Sequence, residues 1–286
     1  MPDCLRLALV TDIHCGRESL TKKGSLAPEL LDRFAGFVAD YEPDMVVELG
    51  DRITDTDPEA DRAALDAVAR SFDAVAAPRA HLMGNHDLVH LTVDENQELL
   101  AHPMASASVD LAGWHLVFWQ ADPSMSGAHE PTIAPDDLAW LQSDLAATDL
   151  PSIVFTHIPL DSASMRGNFY FEANPQYGGY SNARAAQEVI SAAGNVAACV
   201  AGHVHWNNLS RIDGVPYVSL QSLTESYTTQ GRASASWATI ELEAHQLRWT
   251  SHGNDPIELV VGVGGAARSW ETPLPPFAEL ARRRQA

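Results

Sequence analysis

Cysteine is scarce: Cys4, Cys15 and Cys199 are the only three in 286 residues. The count is odd and the spacing wide, so neither a disulfide framework nor a zinc-ribbon pattern follows. A reducing, cytoplasmic setting is the expectation. Basic residues are scarce too, with 18 Lys and Arg against 38 Asp and Glu, a formal net charge of −20. Such a surface disfavours nonspecific binding to nucleic acid or anionic membranes. No stretch approaches the roughly eighteen consecutive apolar residues of a membrane span. The opening MPDCLRLALVTDIH has no basic region before its apolar run and no small-residue cleavage site after it. It reads as a first strand rather than a secretory leader. Neither a repeat nor a linker-like segment is evident.

What is there is an ordinary globular chain, 45% hydrophobic, long enough for a sizeable core. Apolar β-type runs alternate with helical periodicity. CLRLALV, DMVVEL, RAHLM, SIVFT and VAACVAG read as buried strands. Leu30, Leu31, Phe34, Phe37 and Val38 recur at helical spacing behind Pro28. Asp57 and Pro58 open a second helix carrying Leu65, Val68 and Phe72 on one face. APDDLAWLQSDLA is a third helix. SNARAAQEVISAAG is a fourth, with Ser181 as candidate cap and Gly194 as its stop. Strands flank Ala112-Gly113, a hairpin turns at Asp213-Gly214, and SWATIELEAHQLRWTS forms a last hairpin. Early alternation followed by hairpins suggests α/β layers around two sheets. The catalytic domain is expected over residues 1–262, with 263–286 an irregular tail ending in a short helix.

Each of five apolar strands is followed by oxygen or nitrogen ligands: Asp12 and His14, then Asp51, then Asn85 and His86, then His157, then His203 and His205. In open α/β sheets, ligands bind outside the carboxyl ends of strands, so residues spread along the chain can converge on one crevice. The set mixes oxygen with imidazole and contains no thiolate. Imidazole suits zinc, iron, manganese, cobalt or nickel, whereas magnesium and calcium sites are built of oxygens. Seven ligands exceed the needs of one four-coordinate ion. If one aspartate bridges, two ions about 3.5–4 Å apart can be held.

These motifs stand in the chain as TDIH, LGDR, GNHD, FTHIP and AGHVH. In that order they resemble the calcineurin-like metallophosphoesterases, whose pattern runs D-x-H, G-D, G-N-H-D/E, a lone H and G-H-x-H. The resemblance spans residues 5 to about 220. It implies an α/β, four-layer αββα sandwich of two mixed sheets flanked by helices. It implies two divalent metal ions (Mn, Fe, Zn or Co), with Asp12, His14 and His205 on the first, Asn85, His157 and His203 on the second, and Asp51 bridging. His86 would be a catalytic acid or phosphate-binding group, with Asp87 holding it in orientation. Two divalent ions less two aspartates leave about +2, enough to draw an anionic phosphate into an acidic protein. A water shared by the ions ionises near neutral pH and can attack phosphorus in line. His86 can then protonate the leaving alkoxide.

GDRITD and GNHD depart from the GDxVDRG and GNHE of the family's serine/threonine phosphatases. The spacing of the later motifs and the helix before His157 resemble the class III cyclic nucleotide phosphodiesterases and glycerophosphodiesterases. A phosphodiesterase is therefore the expected activity. HLMGNHDLVHL and GHVHWNNLSRIDGVPYVSLQSLTES also look like the manganese-dependent ADP-ribose/CDP-alcohol diphosphatases, which typically carry Gln at the position of His14. A phosphomonoesterase is a further alternative. The loop MRGNFYFEANPQYGGYSN, residues 165–182, could place Arg166, Asn168, Tyr170, Tyr177 or Tyr180 over the metals, with aromatics stacking on a base, or be packed surface. Arg52 either contacts phosphate or pairs with an acid. A non-catalytic scaffold, as in the retromer subunit of this fold, tends to lose ligands, and none is missing. A nuclease would need a basic groove that this chain lacks. The partner expected is a small phosphate ester; neither a nucleic-acid duplex nor a membrane is expected, and a homo-oligomer is compatible with the sequence.

Overall fold

The computed structural model describes residues 4–243, 246–263, 274–277 and 282. Strand β1 (Leu5–Val10) pairs in parallel with β2 (Met45–Glu48), and β2 in parallel with β3 (Arg79–His81). On its other side β1 meets β10 (Ala238–Glu243), followed by β11 (Gln246–Ser251) and β12 (Glu258–Gly262), all antiparallel. This gives one six-stranded mixed sheet, β12-β11-β10-β1-β2-β3. The second is β4-β5-β6-β7-β9-β8. It is built from β4 (Ala107–Leu111), β5 (Trp114–Phe118), β6 (Ser152–Phe155), β7 (Val196–Ala201), β8 (Asn208–Ile212) and β9 (Val215–Ser219). Within it β5, β6, β7 and β9 run parallel.

Alternate residues of buried strands point to opposite faces, and that splits the core. Leu5, Leu7, Leu9, Val47, Leu116, Ile153, Phe155, Val200, Leu247 and Trp249 pack between the sheets. The intervening Ala8, Val10 and Val46 face helices α1 (Ala27–Tyr41) and α2 (Pro58–Asp73). On the far side, Val117, Val154 and Cys199 face α4 (Pro135–Ala146) and α5 (Ala183–Ala193). The result is the expected four layers, two mixed sheets flanked by helices. Asp57 caps α2 through the amides of Glu59 and Ala60, with Pro58 in the first turn.

Three local expectations change. Helix α3 (Val93–Leu100) is additional to the four helices expected from periodicity, and Thr92 and Glu95 form a reciprocal capping box at its start. Strand β12 adds a third strand after the last hairpin. Ser181 does not cap α5: Asn182 precedes the helix, while the Ser181 hydroxyl bonds Thr132 at 2.8 Å. The tail expected after Gly262 lies mostly outside the described residues. Among them, no helix is long and apolar enough to cross a membrane.

The inter-sheet layer carries the stability. Phe155 is fully buried and stacks on Phe118 at 5.6 Å, whereas Val260 on edge strand β12 is 52% exposed. Phe155→Ala should cost about 3–5 kcal/mol in urea denaturation. Val260→Ala should stay within about 0.5 kcal/mol.

Candidate metal centre

The first three strands of one sheet, and β6 and β7 of the other, release their ligand residues at a shared edge. Asp12, His14, Asp51 and His205 form one group whose potential ligand atoms all lie within 4.8 Å of one another; Asp51, His157 and His203 form a second. Asp51 belongs to both. Asn85 joins the second group, its Oδ1 3.3 Å from His157 Nε2. The sheets are tied together here, since the His203 amide donates to Asp12 Oδ2 at 2.8 Å.

The imidazoles are oriented by acceptors behind them. His14 Nδ1 donates to the Ile53 carbonyl, His157 Nδ1 to the Leu49 carbonyl, His203 Nε2 to the Tyr177 carbonyl, and His205 Nδ1 to the Glu225 carboxylate. A carbonyl or carboxylate can only accept, so each ring must carry its proton on that nitrogen and turn the other inward. Inside, with the rings neutral, acceptors crowd acceptors. His14 Nε2 lies 2.9 Å from His205 Nε2, and His157 Nε2 lies 3.4 Å from Asp51 Oδ2. Asp12 Oδ1 is buried without a hydrogen-bond partner, 3.3 Å from His205 Nε2. Converging lone pairs and an orphaned carboxylate oxygen are what divalent cations need, and the donor set fits them.

Charge follows the same geometry. Burial opposes ionisation of Asp51, but His157 and His86 beside it hold its carboxyl well below the usual range. Burial likewise disfavours charge on His157 and His205, yet Asp51 raises the first to about 9, and Asp12 with Glu225 raises the second to about 9. His203 is pushed down to about 4 by burial and by His157. Protons and metal cations compete for such lone pairs.

The local backbone is unusual. Asp12, His14, Asp51, His203 and His205 all have φ between 46° and 67°, left-handed values that non-glycine residues seldom adopt. The motif glycines clear space. A Cβ on Gly84 would lie 2.2 Å from the Asp51 amide nitrogen and Oδ1, and one on Gly202 would lie 2.6 Å from Asp12 Oδ2.

Several sequence expectations need correction. Asp87 does not orient His86. Its carboxylate accepts from the amides of Asp51, Arg52 and Gly84 and pairs with Arg52 at 2.9 Å, clamping two ligand loops together. His86 is oriented by Asp55, 2.8 Å from its Nδ1, and lies in the cleft a quarter exposed. GDRITD ends in Asp55, so an acid four residues beyond Asp51 was the available signal. Arg52 is not a phosphate contact: fully buried, it pairs with Glu48 at 2.6 Å and with Asp87. Arg166 is exposed and outside the cavity lining. Asn168 is buried, donating to the Val204 carbonyl and the Tyr227 hydroxyl and accepting from the amides of Tyr170 and Phe171. Tyr180 is buried with its hydroxyl on the Ala121 carbonyl. Both hold the loop in shape. Tyr170 and Tyr177 do line the cavity of about 350 Å³, together with Phe171, Met125, His86 and Lys22. Glu225 was missed, although it binds both His205 and the Tyr170 hydroxyl. It lies near the end of GHVHWNNLSRIDGVPYVSLQSLTES, twenty residues after His205, and only the fold brings it beside that ring.

The family model for calcineurin-like phosphoesterases matches residues 5–207. No curated protein matches the sequence. Solved structures that share the fold include a dimetal phosphatase from Danio rerio, with a TM-score of 0.75 and 17% identity, covering 92% of this chain and 100% of that one. The purple acid phosphatase PPD1 from yellow lupin seeds aligns with a TM-score of 0.60 and 12% identity over 90% of this chain and 54% of its own. GAP50, the anchor in the inner membrane complex of Plasmodium, gives 0.57 and 13% over 91% and 89%. At these identities the likeness establishes the fold.

Asp51→Asn should lower the bound divalent ions per chain from two toward one, read by elemental analysis after metal loading. Arg52→Met strands two buried carboxylates and should cost about 3–5 kcal/mol in urea denaturation. KM should stay unchanged, since Arg52 lies outside the cavity lining.

Proposed function

Since the chain belongs to the calcineurin-like phosphoesterase family, we propose that it is a dinuclear-metal-dependent phosphoric ester hydrolase cleaving a small phosphodiester, of cyclic nucleotide or glycerophosphodiester type. The observation that carries this reading is the pair of acceptor groups sharing Asp51 on the floor of a cavity that also holds His86. Asp12, His14 and His205 would hold one cation, Asn85, His157 and His203 the other, with Asp51 between them. Two such cations supply a nucleophile at neutral pH and offset charge on the phosphoryl oxygens.

The chain's own residues do the rest. His86 presents Nε2 to the cleft, 4.0 Å from Asp51 Oδ2, while its backbone amide donates to Asp51 Oδ1 at 2.8 Å. With Nδ1–H tied to Asp55, Nε2–H is the proton that can pass to a leaving alkoxide. Burial opposes charge on Asp55, but its bond to His86 keeps the carboxyl below its usual range and ready to accept. Tyr170, Phe171 and Tyr177 wall the cavity and offer faces for an organic group such as a base.

Those aromatic walls and the room above the metal groups also suit a second reading, a diphosphatase acting on ADP-ribose or CDP-alcohol-type pyrophosphates. A manganese-reconstituted comparison of bis-p-nitrophenyl phosphate, p-nitrophenyl phosphate, cyclic nucleotides, glycerophosphodiesters and ADP-ribose separates the readings. A diester kcat/KM above the monoester value supports the first. A tenfold monoester preference, or preference for ADP-ribose, replaces it.

His86→Ala should keep both ions and lose about 10²–10⁴ in rate on esters with poor leaving groups. The loss on nitrophenyl esters should be much smaller, because nitrophenolate leaves unprotonated. Asp55→Asn should shift rates in the same sense by less. Equal losses on both ester types, with metals retained, would mean that His86 stabilises phosphate instead.

A further inference from the structure

In a chain so poor in basic residues, one lysine is spent inside the molecule. Lys22 is 4% exposed and lines the cavity above the candidate metal groups. It is the one Lys or Arg among the described lining residues. Buried lysines are rare unless paired. Here no carboxylate lies within ion-pair distance, 4.0 Å, of Nζ among the described residues. Arg52, by contrast, is buried with two acids in contact.

The lysine is held in place by what surrounds it. Ser19 and Lys22 exchange backbone hydrogen bonds at 2.9 and 3.2 Å, with Leu20 left-handed at the tip of the turn. The Lys23 amide donates to the Thr224 carbonyl at 2.9 Å, and the Ser226 hydroxyl donates to the Thr21 carbonyl. The Thr21 hydroxyl meets the Tyr170 hydroxyl at 2.9 Å, and Nζ lies 6.0 Å from the centre of the Tyr170 ring. Burial pulls the ammonium below the ordinary lysine value, while Asp51, Asp55, Glu225 and Asp12 work to keep its charge. These four acids belong to, or support, the metal groups and His86. A counter-ion for them would be expected to close onto one carboxylate. Lys22 stands off from all four and shares the cavity with His86.

We propose that Lys22 is a substrate-binding residue whose ammonium takes an anionic phosphoryl oxygen in the cavity it shares with His86. This rests on the phosphohydrolase reading above. It also accounts for how a protein of net charge −20 admits an anion: the attraction is local. No motif of the family pattern includes this residue, which lies eight positions after His14 on a turn.

The test uses the full chain loaded with Mn²⁺ and orthophosphate as the probe. Wild type, Lys22→Met and Lys22→Arg are compared by titration calorimetry for phosphate and by elemental analysis for metal. Lys22→Met should retain two ions per chain and weaken phosphate binding by about tenfold or more, the scale of one lost charged hydrogen bond. Lys22→Arg should stay much closer to wild type. Unchanged phosphate affinity in Lys22→Met overturns the proposal. So does loss of metal, which would make the lysine a support of the ligand groups. A measurement on wild type needs no variant to fold: acylation of Lys22 by an N-hydroxysuccinimide ester, followed by mass spectrometry, should slow in saturating phosphate. An unchanged rate overturns the proposal independently. If wild type holds no metal and cleaves no phosphoester, the hydrolase reading falls and this proposal with it. If wild type hydrolyses esters and Lys22→Met matches it in rate and phosphate affinity, the role of Lys22 alone falls.

Discussion

The Asp51 carboxylate is the constraint on which the site depends. It is buried at the edge where both sheets end, and its two oxygens serve different neighbours. Oδ1 accepts from the His86 amide, while Oδ2 faces His157 at 3.4 Å and His14 at 3.8 Å. A charged carboxylate among inward-turned imidazole nitrogens is electrostatically unsatisfied by hydrogen bonds alone. Each ring has its N–H committed to an acceptor behind it, so none can rotate to relieve the crowding without leaving that acceptor unpaired. The protein holds this arrangement by clamping its loops. Asp87 gathers three backbone amides from the loops that carry Asp51 and Asn85.

Clamping has a conformational cost. Five of the seven candidate ligands are left-handed, each costing about 1 kcal/mol or more in backbone strain. Strain of that size persists only where surrounding structure over-determines the backbone. The parallel β1, β2 and β3 and the parallel β6 and β7 do so, because the ligand loops leave from the ends of fully buried strands packed face to face. The same rigidity explains the motif glycines: with the loops pressed together, a side chain at residue 84 would occupy the space of Asp51.

Positive charge is used in two ways. Arg52, beside Asp51 in sequence, is turned away into the core to neutralise Glu48 and Asp87. Lys22, which no motif marks, is turned toward the cavity. Proximity in sequence to a ligand therefore says little about which side chain meets the substrate. Arg52 follows the ligand Asp51 and faces the core, whereas His86 follows the ligand Asn85 and lines the cavity.

The sequence by itself determined the layers and the ligand types. The continuous apolar run of LRLALV and the helical periodicity after Pro28 are local signals, and both survive folding because the first reports a strand covered on both faces and the second one apolar helix face. Strand ends followed by Asp, Asn and His were legible for the same reason, since the end of a buried strand is where polar chemistry can begin. Helix α3 was legible only through its capping box, its apolar face being short, and β12, ELVVG, fully buries no residue and so offers no clear core-facing signal. Only tertiary structure decided the partners of those ligands. Asp55 rather than Asp87 faces the ring of His86, Glu225 faces His205, and Tyr170 rather than Tyr180 faces the cavity. Each of these pairings depends on the direction of a side chain across a loop or between sheets. Spacing along the chain does not encode that direction, because it is set by packing among residues as far apart as Thr21 and Ser226.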